Sequence, residues 1–141
     1  MRKLVFLIIP LLFITFPLAS QAEETKAEKP AVYAVTMHAD WCGACKALAP
    51  KISQARETAK LDEKEVLFVK FDLTNDKTKH QAGMMAAALG ITELYMSNAG
   101  KTGFLLLINA ESGEIIARIT SKQDVESISA KITEKIEEVI S

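Results

Sequence analysis

Cysteine is scarce in this 141-residue chain: there are two, Cys42 and Cys45. Two cysteines cannot build a disulfide framework, so a small cystine-stapled scaffold is excluded. With no second CxxC, a closed four-thiolate metal site is excluded as well. Charge of one sign is also scarce. The formal net charge is −1, no basic patch or long charge run stands out, and no nucleic-acid partner is expected. Proline is missing from the whole chain after Pro50. The "GKT" at Gly100–Thr102 lacks the glycine that a phosphate-binding loop needs five residues earlier, where Tyr95 stands. No internal repeat is visible.

What is present starts with the leader. Arg2 and Lys3 precede an almost wholly apolar run, Leu4 to Leu18, and Ser20-Gln21-Ala22 places small residues where a signal peptidase reads. The run is shorter than the ~20 residues of a spanning helix, and Pro10 and Pro17 interrupt it. No cysteine follows it to carry a lipid anchor. Residues 1–22 are therefore expected to be a signal peptide, an uncleaved anchor being the alternative, and the protein is expected to be periplasmic or otherwise exported. Removal of the leader leaves 119 residues and moves the formal charge from −1 to −3. That length suits one domain with a single sizeable core. Glu23 to Pro30 is polar and reads as a flexible lead-in, so the expected domain is 31–141.

Periodicity divides the domain into alternating elements. Ala31–Met37 is β-branched and apolar, a buried strand. From Cys42 the period becomes helical, with Leu48, Ile52, Ala55 and Ala59 on one stripe. Glu65–Leu73 is a second strand. A helix capped at Asn75 or Asp76 runs to Gly90. Gly103–Asn109 and Glu114–Thr120, joined by a turn, read as a hairpin. Val125, Ile128, Ile132, Ile136 and Val139 lie on one face of a last helix, capped at Ser121 or Asp124. The order is β-α-β-α-β-β-α: a parallel βαβ unit followed by an antiparallel pair.

Between the first strand and the first helix stands "HADWCGACKALAP", His38 to Pro50. Its core, Trp41-Cys42-Gly43-Ala44-Cys45-Lys46, resembles the WCGPCK active site of the thioredoxin family, with Ala44 in place of proline. Pro50 matches the family's proline five residues after the second cysteine. A bare CxxC is a weak signal, whereas Trp-CxxC-Lys between a strand and a helix, followed by this element order, is a strong one. The resemblance spans Ala31 to Ile140. It implies an α/β, thioredoxin-like fold, a central mixed sheet of about four strands flanked by helices.

The chemistry suits the spacing. Residues i and i+3 share a helix face, so the two sulfurs reach disulfide distance with little strain. Cys42 falls at the helix N-terminus, where unpaired N–H groups and the helix dipole favour thiolate. Thiolate is the nucleophile, so Cys42 is the expected attacking sulfur and Cys45 the resolving one. Gly43 and Ala44 keep the turn small for an approaching partner, and Trp41 walls one side. No cofactor is needed, since the dithiol carries the electrons.

Two other readings of the pair stand beside this one. A permanent disulfide would close a very short loop and stabilise by under ~3 kcal/mol. A copper or zinc site would draw on Cys42, Cys45, His38 and Met37, a soft donor set without a second CxxC. His80 reads as a solvated side chain, Lys46 as a surface charge, and Met84 and Met85 as core fillers.

The departures from the family pattern bear on mechanism. The family's buried acid on the first strand falls at Thr36, whose hydroxyl can hydrogen-bond but cannot act as a base near neutral pH. The family's tryptophan two residues on is His38, which, charged and turned to the sulfurs, would favour the Cys42 thiolate. The family's cis-proline falls at Gly103, with Thr102 beside it. A free N–H at Gly103 would leave the site more open to metals, which that proline helps to block. The extension Thr92–Phe104 is longer than the family's link and would reshape the substrate groove. The resulting expectation is thiol–disulfide exchange on exported protein thiols and disulfides by a monomer. Gly43-Ala44 adds no polar or cationic group between the cysteines, which favours a reductant fed by a membrane electron donor. The alternatives are a non-catalytic binding or chaperone module on the same fold, or metal handling by the same cysteines.

Overall fold

The computed structural model describes residues 29–141, so the expected signal peptide and most of the lead-in lie outside the described residues. Four strands are built from the apolar runs: β1 (Val32–His38), β2 (Val66–Asp72), β3 (Phe104–Asn109) and β4 (Ile115–Thr120). They form one sheet in the order β2-β1-β3-β4. β1 and β2 are parallel, while β1–β3 and β3–β4 are antiparallel. The helices are α1 (Gly43–Thr58), α2 (Asp76–Ala88), α3 (Thr92–Asn98) and α4 (Val125–Ile140).

Strand alternation sorts the core into two layers. Tyr33, Val35 and Met37 of β1 join Phe71, Phe104 and Leu106 in a layer with Ala82 and Ala86 of α2 and Tyr95 of α3. Val32 and Ala34 join Leu105 and Leu107 in the opposite layer, with Leu48, Ile52 and Ala55 of α1 and Ile128, Ile132 and Ile136 of α4. β1 and β3 carry apolar residues on both faces because both faces are covered, as central strands require. The caps follow the residue chemistry. Asn75 accepts from the Thr78 N–H, whose hydroxyl accepts from Asn75 N–H in return, and Asp124 accepts from Ser127 N–H.

Three details differ from the sequence expectations. The extension after Ile91 contains a helix, α3, held by Tyr95, which meets Phe71 edge-on and donates its hydroxyl to the Lys79 carbonyl at 2.7 Å. A single 3₁₀ turn, Leu61–Glu63, follows α1 and buries Leu61. Met84 and Met85 are not core fillers: they are 63% and 43% exposed, because α2 turns Ala82 and Ala86 inward instead. His80 and Lys46 are exposed as expected.

Leu107 is fully buried between the sheet and its α1/α4 layer. Leu107→Ala should lower the unfolding free energy by about 2–5 kcal/mol, read as a shift of the urea midpoint at constant slope.

Candidate functional site: a disulfide at a helix N-terminus

β1 ends at His38, whose carbonyl accepts the Leu73 N–H at 2.8 Å. The chain then crosses Ala39-Asp40-Trp41 and enters α1 with Cys42 as its N-cap. Cys42 and Cys45 form a disulfide with Cα atoms 5.3 Å apart. The Cys45 N–H, at the third position of the helix, donates to Cys42 Sγ at 3.1 Å. The sulfur thus takes the place of the oxygen of an ordinary N-cap side chain. On reduction the same N–H and the helix N-terminus face whatever charge develops on Cys42. Cys42 is 7% exposed and Cys45 2%, so the first cysteine is the one a partner meets. With Ala39 they make a small apolar cluster of their own. The helix continues through Pro50.

The face around Cys42 is open. Gly43 and Ala44 are exposed, and a Cβ on Gly43 would meet nothing within 4 Å. Trp41 is 63% exposed and donates its indole N–H to the Thr74 carbonyl at 3.3 Å. Thr74 also accepts the Asp40 N–H on its hydroxyl at 3.0 Å. Its hydroxyl and N–H in turn donate to the Asp72 carboxylate, at 2.5 and 2.9 Å. Sequence reasoning missed Asp72 and Thr74 as the support of the Trp41 corner. They lie more than thirty residues away, and β1–β2 pairing brings them there.

Gly103 lies where the family's cis-proline was expected, and a side chain there would meet the disulfide. Its φ is +91°, and a Cβ there would come 2.9 Å from the Ala44 Cβ and 3.5 Å from Cys42 Sγ. The expectation of a free N–H is corrected, since Gly103 N–H donates to the Met37 carbonyl at 2.9 Å. Cys45 Sγ is 3.7 Å from that same carbonyl. Thr102, partly buried, precedes Gly103 on this loop.

Thr36 and His38 are partly buried and share the α1 side of β1, whereas Met37 is fully buried on the other side. The soft donor set Cys42, Cys45, His38 and Met37 is therefore split by strand alternation. Among the described residues no group of three or more His, Cys, Asp or Glu is arranged to hold a metal ion. The His38 ring bonds Asp40, with Nε2 to Oδ1 at 3.2 Å. Thr36 and His38 line a cleft of about 250 Å³ with Ala49, Ile52 and Arg56 of α1 and Phe68, Val69 and Lys70 of β2.

A sheet of this order, with a disulfide capping the helix that follows its first strand, defines a thioredoxin-fold protein with a dithiol–disulfide pair. The Thioredoxin family profile matches residues 19–134, and the chain belongs to the thioredoxin family. No curated protein matches it. Solved structures similar to it include thioredoxin-2 of the malaria parasite, described as a component of that parasite's protein secretion machinery. It is 15% identical, with 74% of this chain and 82% of that one covered and a TM-score of 0.47. Trxlp from Edwardsiella tarda is 20% identical over 72% and 81%, TM-score 0.45. Thioredoxin f2 from Chlamydomonas reinhardtii is 19% identical over 77% and 82%, TM-score 0.46.

Two predictions follow from this geometry. Gly103→Ala combines an unfavourable positive φ with a clash against Ala44, and should destabilise by more than about 1 kcal/mol. Ala44→Gly should restore only the steric part, and urea melts of the two single variants and the double variant separate the terms. The Thr74 hydroxyl bond holds the Asp72 carboxyl below its ordinary range. Ionised Asp72 therefore adds stability that is complete above the unfolded carboxyl range and is lost as pH falls through its folded value. Thr74→Val should flatten the acid limb of a stability-versus-pH curve and leave the neutral-to-alkaline shape unchanged.

Proposed function

We propose that the protein exchanges disulfides with protein partners outside the cytosol, by the cycle its two cysteines permit. The observation that carries this reading is Cys42 Sγ at the N-cap of α1, with the Cys45 N–H on it at 3.1 Å. In the reducing direction, the Cys42 thiolate attacks one sulfur of a substrate disulfide. The substrate S–S bond breaks, a Cys42–substrate mixed disulfide forms, and the first substrate sulfur leaves as thiolate. Cys45, deprotonated, then attacks Cys42 Sγ, and the second substrate thiolate leaves. Two electrons pass from the dithiol to the substrate, with no cofactor required.

The reducing direction rests on Gly43-Ala44, which places no polar or cationic side chain between the sulfurs to stabilise the dithiol form unusually. A membrane-bound donor would return the electrons, and the protein would act as a monomer. Export rests on the leader, Arg2 to Ala22. Thr36 at the position of the family's acid favours a second reading, a binding or chaperone module that no longer turns over. A Cys42→Ala variant that keeps the cellular role would establish that reading.

The decisive experiment is the redox equilibrium of the chain in graded glutathione buffers, with the dithiol fraction read by thiol trapping. A midpoint near or below about −230 mV is expected for the reductant, and one near about −120 to −180 mV would make it an oxidant or isomerase. No reversible transition would overturn exchange altogether. Mass analysis of the protein from an exporting host should show a mature N-terminus at Glu23.

A further inference from the structure

β2 is the end strand of the sheet, and among the described residues it pairs with β1 alone. Register and bonds fix which way its main chain points. His38 stands opposite Asp72, and the His38 carbonyl takes the Leu73 N–H. At the other end the Glu65 carbonyl takes the N–H groups of Ala31 and Val32. Odd-numbered residues of β2 therefore bond β1, and even-numbered ones turn N–H and C=O to the open side. Val66 gives its N–H to the Lys64 carbonyl at 2.7 Å. Phe68 and Lys70 carry the outward main-chain groups at the middle of the edge, and such a row is a template for another strand.

The usual guards against such pairing are thin. β2 has no proline, and its seven-residue register with β1 is unbroken. The opposite edge differs, since the β3–β4 ladder slips between Leu107 and Ile108. Leu67 of β2 is 42% exposed. The guard that remains is charge: Lys70 is exposed and forms no salt bridge among the described residues.

Phe68 and Lys70 also line a cleft with their side chains. It lies on the α1 side, measures about 250 Å³ and is closed by Ile52 and Arg56. Arg56 sits over the Phe68 ring at 4.3 Å. The lining is mostly apolar; its ionisable members are His38, Arg56 and Lys70, and no carboxylate is among them.

We infer that this edge and cleft hold an extended segment of a partner polypeptide, laid along β2 as a fifth strand. Its main chain bonds Phe68 and Lys70. The side chain opposite Phe68 is apolar and enters the cleft. The side chain two residues away, on the same face and opposite Lys70, is a carboxylate. Main-chain bonds give such a strand its affinity, and the cleft and the lysine give it selectivity. A second copy of this chain fits worse. It would bring Val66, Phe68, Lys70 and Asp72 to that face. Its lysine would meet a cationic lining, and its Asp72 carboxylate is committed to Thr74.

The placement serves exchange. From Phe68 to Asp72 the strand covers about 13 Å, and just beyond it the Thr74 carbonyl holds the Trp41 indole beside Cys42. A segment clamped on β2 brings its neighbouring residues to the disulfide corner. Only a chain whose main chain is still unpaired can bind this way. The substrate class is an unfolded polypeptide with a cystine a few residues from an apolar–acidic stretch.

That role rests on the exchange reading, whereas the docking is read without redox chemistry. The probe is the acetylated and amidated peptide Thr-Glu-Thr-Leu-Thr-Glu-Thr, which flanks leucine with acid in either strand direction. Amide hydrogen exchange of the oxidised full chain is followed by NMR. Without peptide, the Phe68 and Lys70 amides should exchange at least about tenfold faster than those of Val69 and Phe71, which the β1 ladder holds. Saturating peptide should slow Phe68 and Lys70 by at least about tenfold. A copy with lysines for the glutamates should bind at least about threefold more weakly, the scale of a surface ion pair, and Lys70→Glu should reverse that order. Of two copies N-methylated on alternate residues, one should keep binding and the other lose it.

Phe68 and Lys70 amides unmoved by the peptide, equal binding of the two N-methylated copies, or an order unchanged in Lys70→Glu would overturn the docking strand. So would amides already slow without peptide. Sedimentation as a dimer would then assign the edge to a second copy, and as a monomer to residues 1–28. The N-methylated pair is read on the wild type and decides the matter even if the variant folds poorly. In a parallel arm the reduced protein is given the same peptide extended to a cystine, and a small aromatic disulfide. Amide protection with no thiol released from either would overturn exchange and leave the docking strand; thiol release without protection would do the reverse.

Discussion

The carbonyl of Met37 is the constraint on which the site turns. It accepts the Gly103 N–H at 2.9 Å and lies 3.7 Å from Cys45 Sγ. One main-chain oxygen at the end of a central strand therefore joins the loop before β3 to the resolving cysteine. The bond needs a residue with an N–H, and the space beyond it, occupied by the Ala44 methyl and Cys42 Sγ, needs a residue without a Cβ. Glycine alone meets both conditions. Where a proline would pack against the sulfurs and donate nothing, this chain extends the β1–β3 connection by one more hydrogen bond and lets the backbone approach closely.

That junction stands on a sheet that is apolar on both faces. The fully buried side chains of β1 and β3 fix the height and direction of the β1 terminus, and the disulfide is a thin cap over it, clustered with Ala39 alone. Stability and chemistry are thereby separated in space. The large burial terms belong to the two layers, whereas the site is held by a few directed bonds: Thr74 to Asp40, Trp41 and Asp72, Gly103 to Met37, and Cys45 to Cys42. Most are main-chain bonds on at least one side, so they specify position more than side-chain identity.

The elements with strong periodicity were legible in the sequence. The isoleucines of α4, the runs of β1 and β3 and the switch to helical period at Cys42 all appear in the structure within a residue or two, because burial on a regular face leaves a repeating trace. α3 left none: seven residues with one deep anchor, Tyr95, cannot show a period. The methionine pair misled because hydrophobicity was taken for burial, while α2 packs closely through alanines. At the site, the cysteines were legible from spacing, and Gly103 from its register against a missing proline. Its bond to Met37 was not, since it depends on strand pairing that only the folded chain displays. Asp72 and Thr74 were silent for the same reason, being ordinary polar residues until β2 lies beside β1.

The chain has one tryptophan, Trp41, and the fold sets it one residue before Cys42 with most of its ring in solvent and its indole N–H on the Thr74 carbonyl. Any emission excited at the red edge of protein absorbance therefore arises from this corner alone. A disulfide is an efficient quencher of a neighbouring indole, and a dithiol a poorer one. A change in that emission on reduction would report the oxidation state of the Cys42–Cys45 pair without a label.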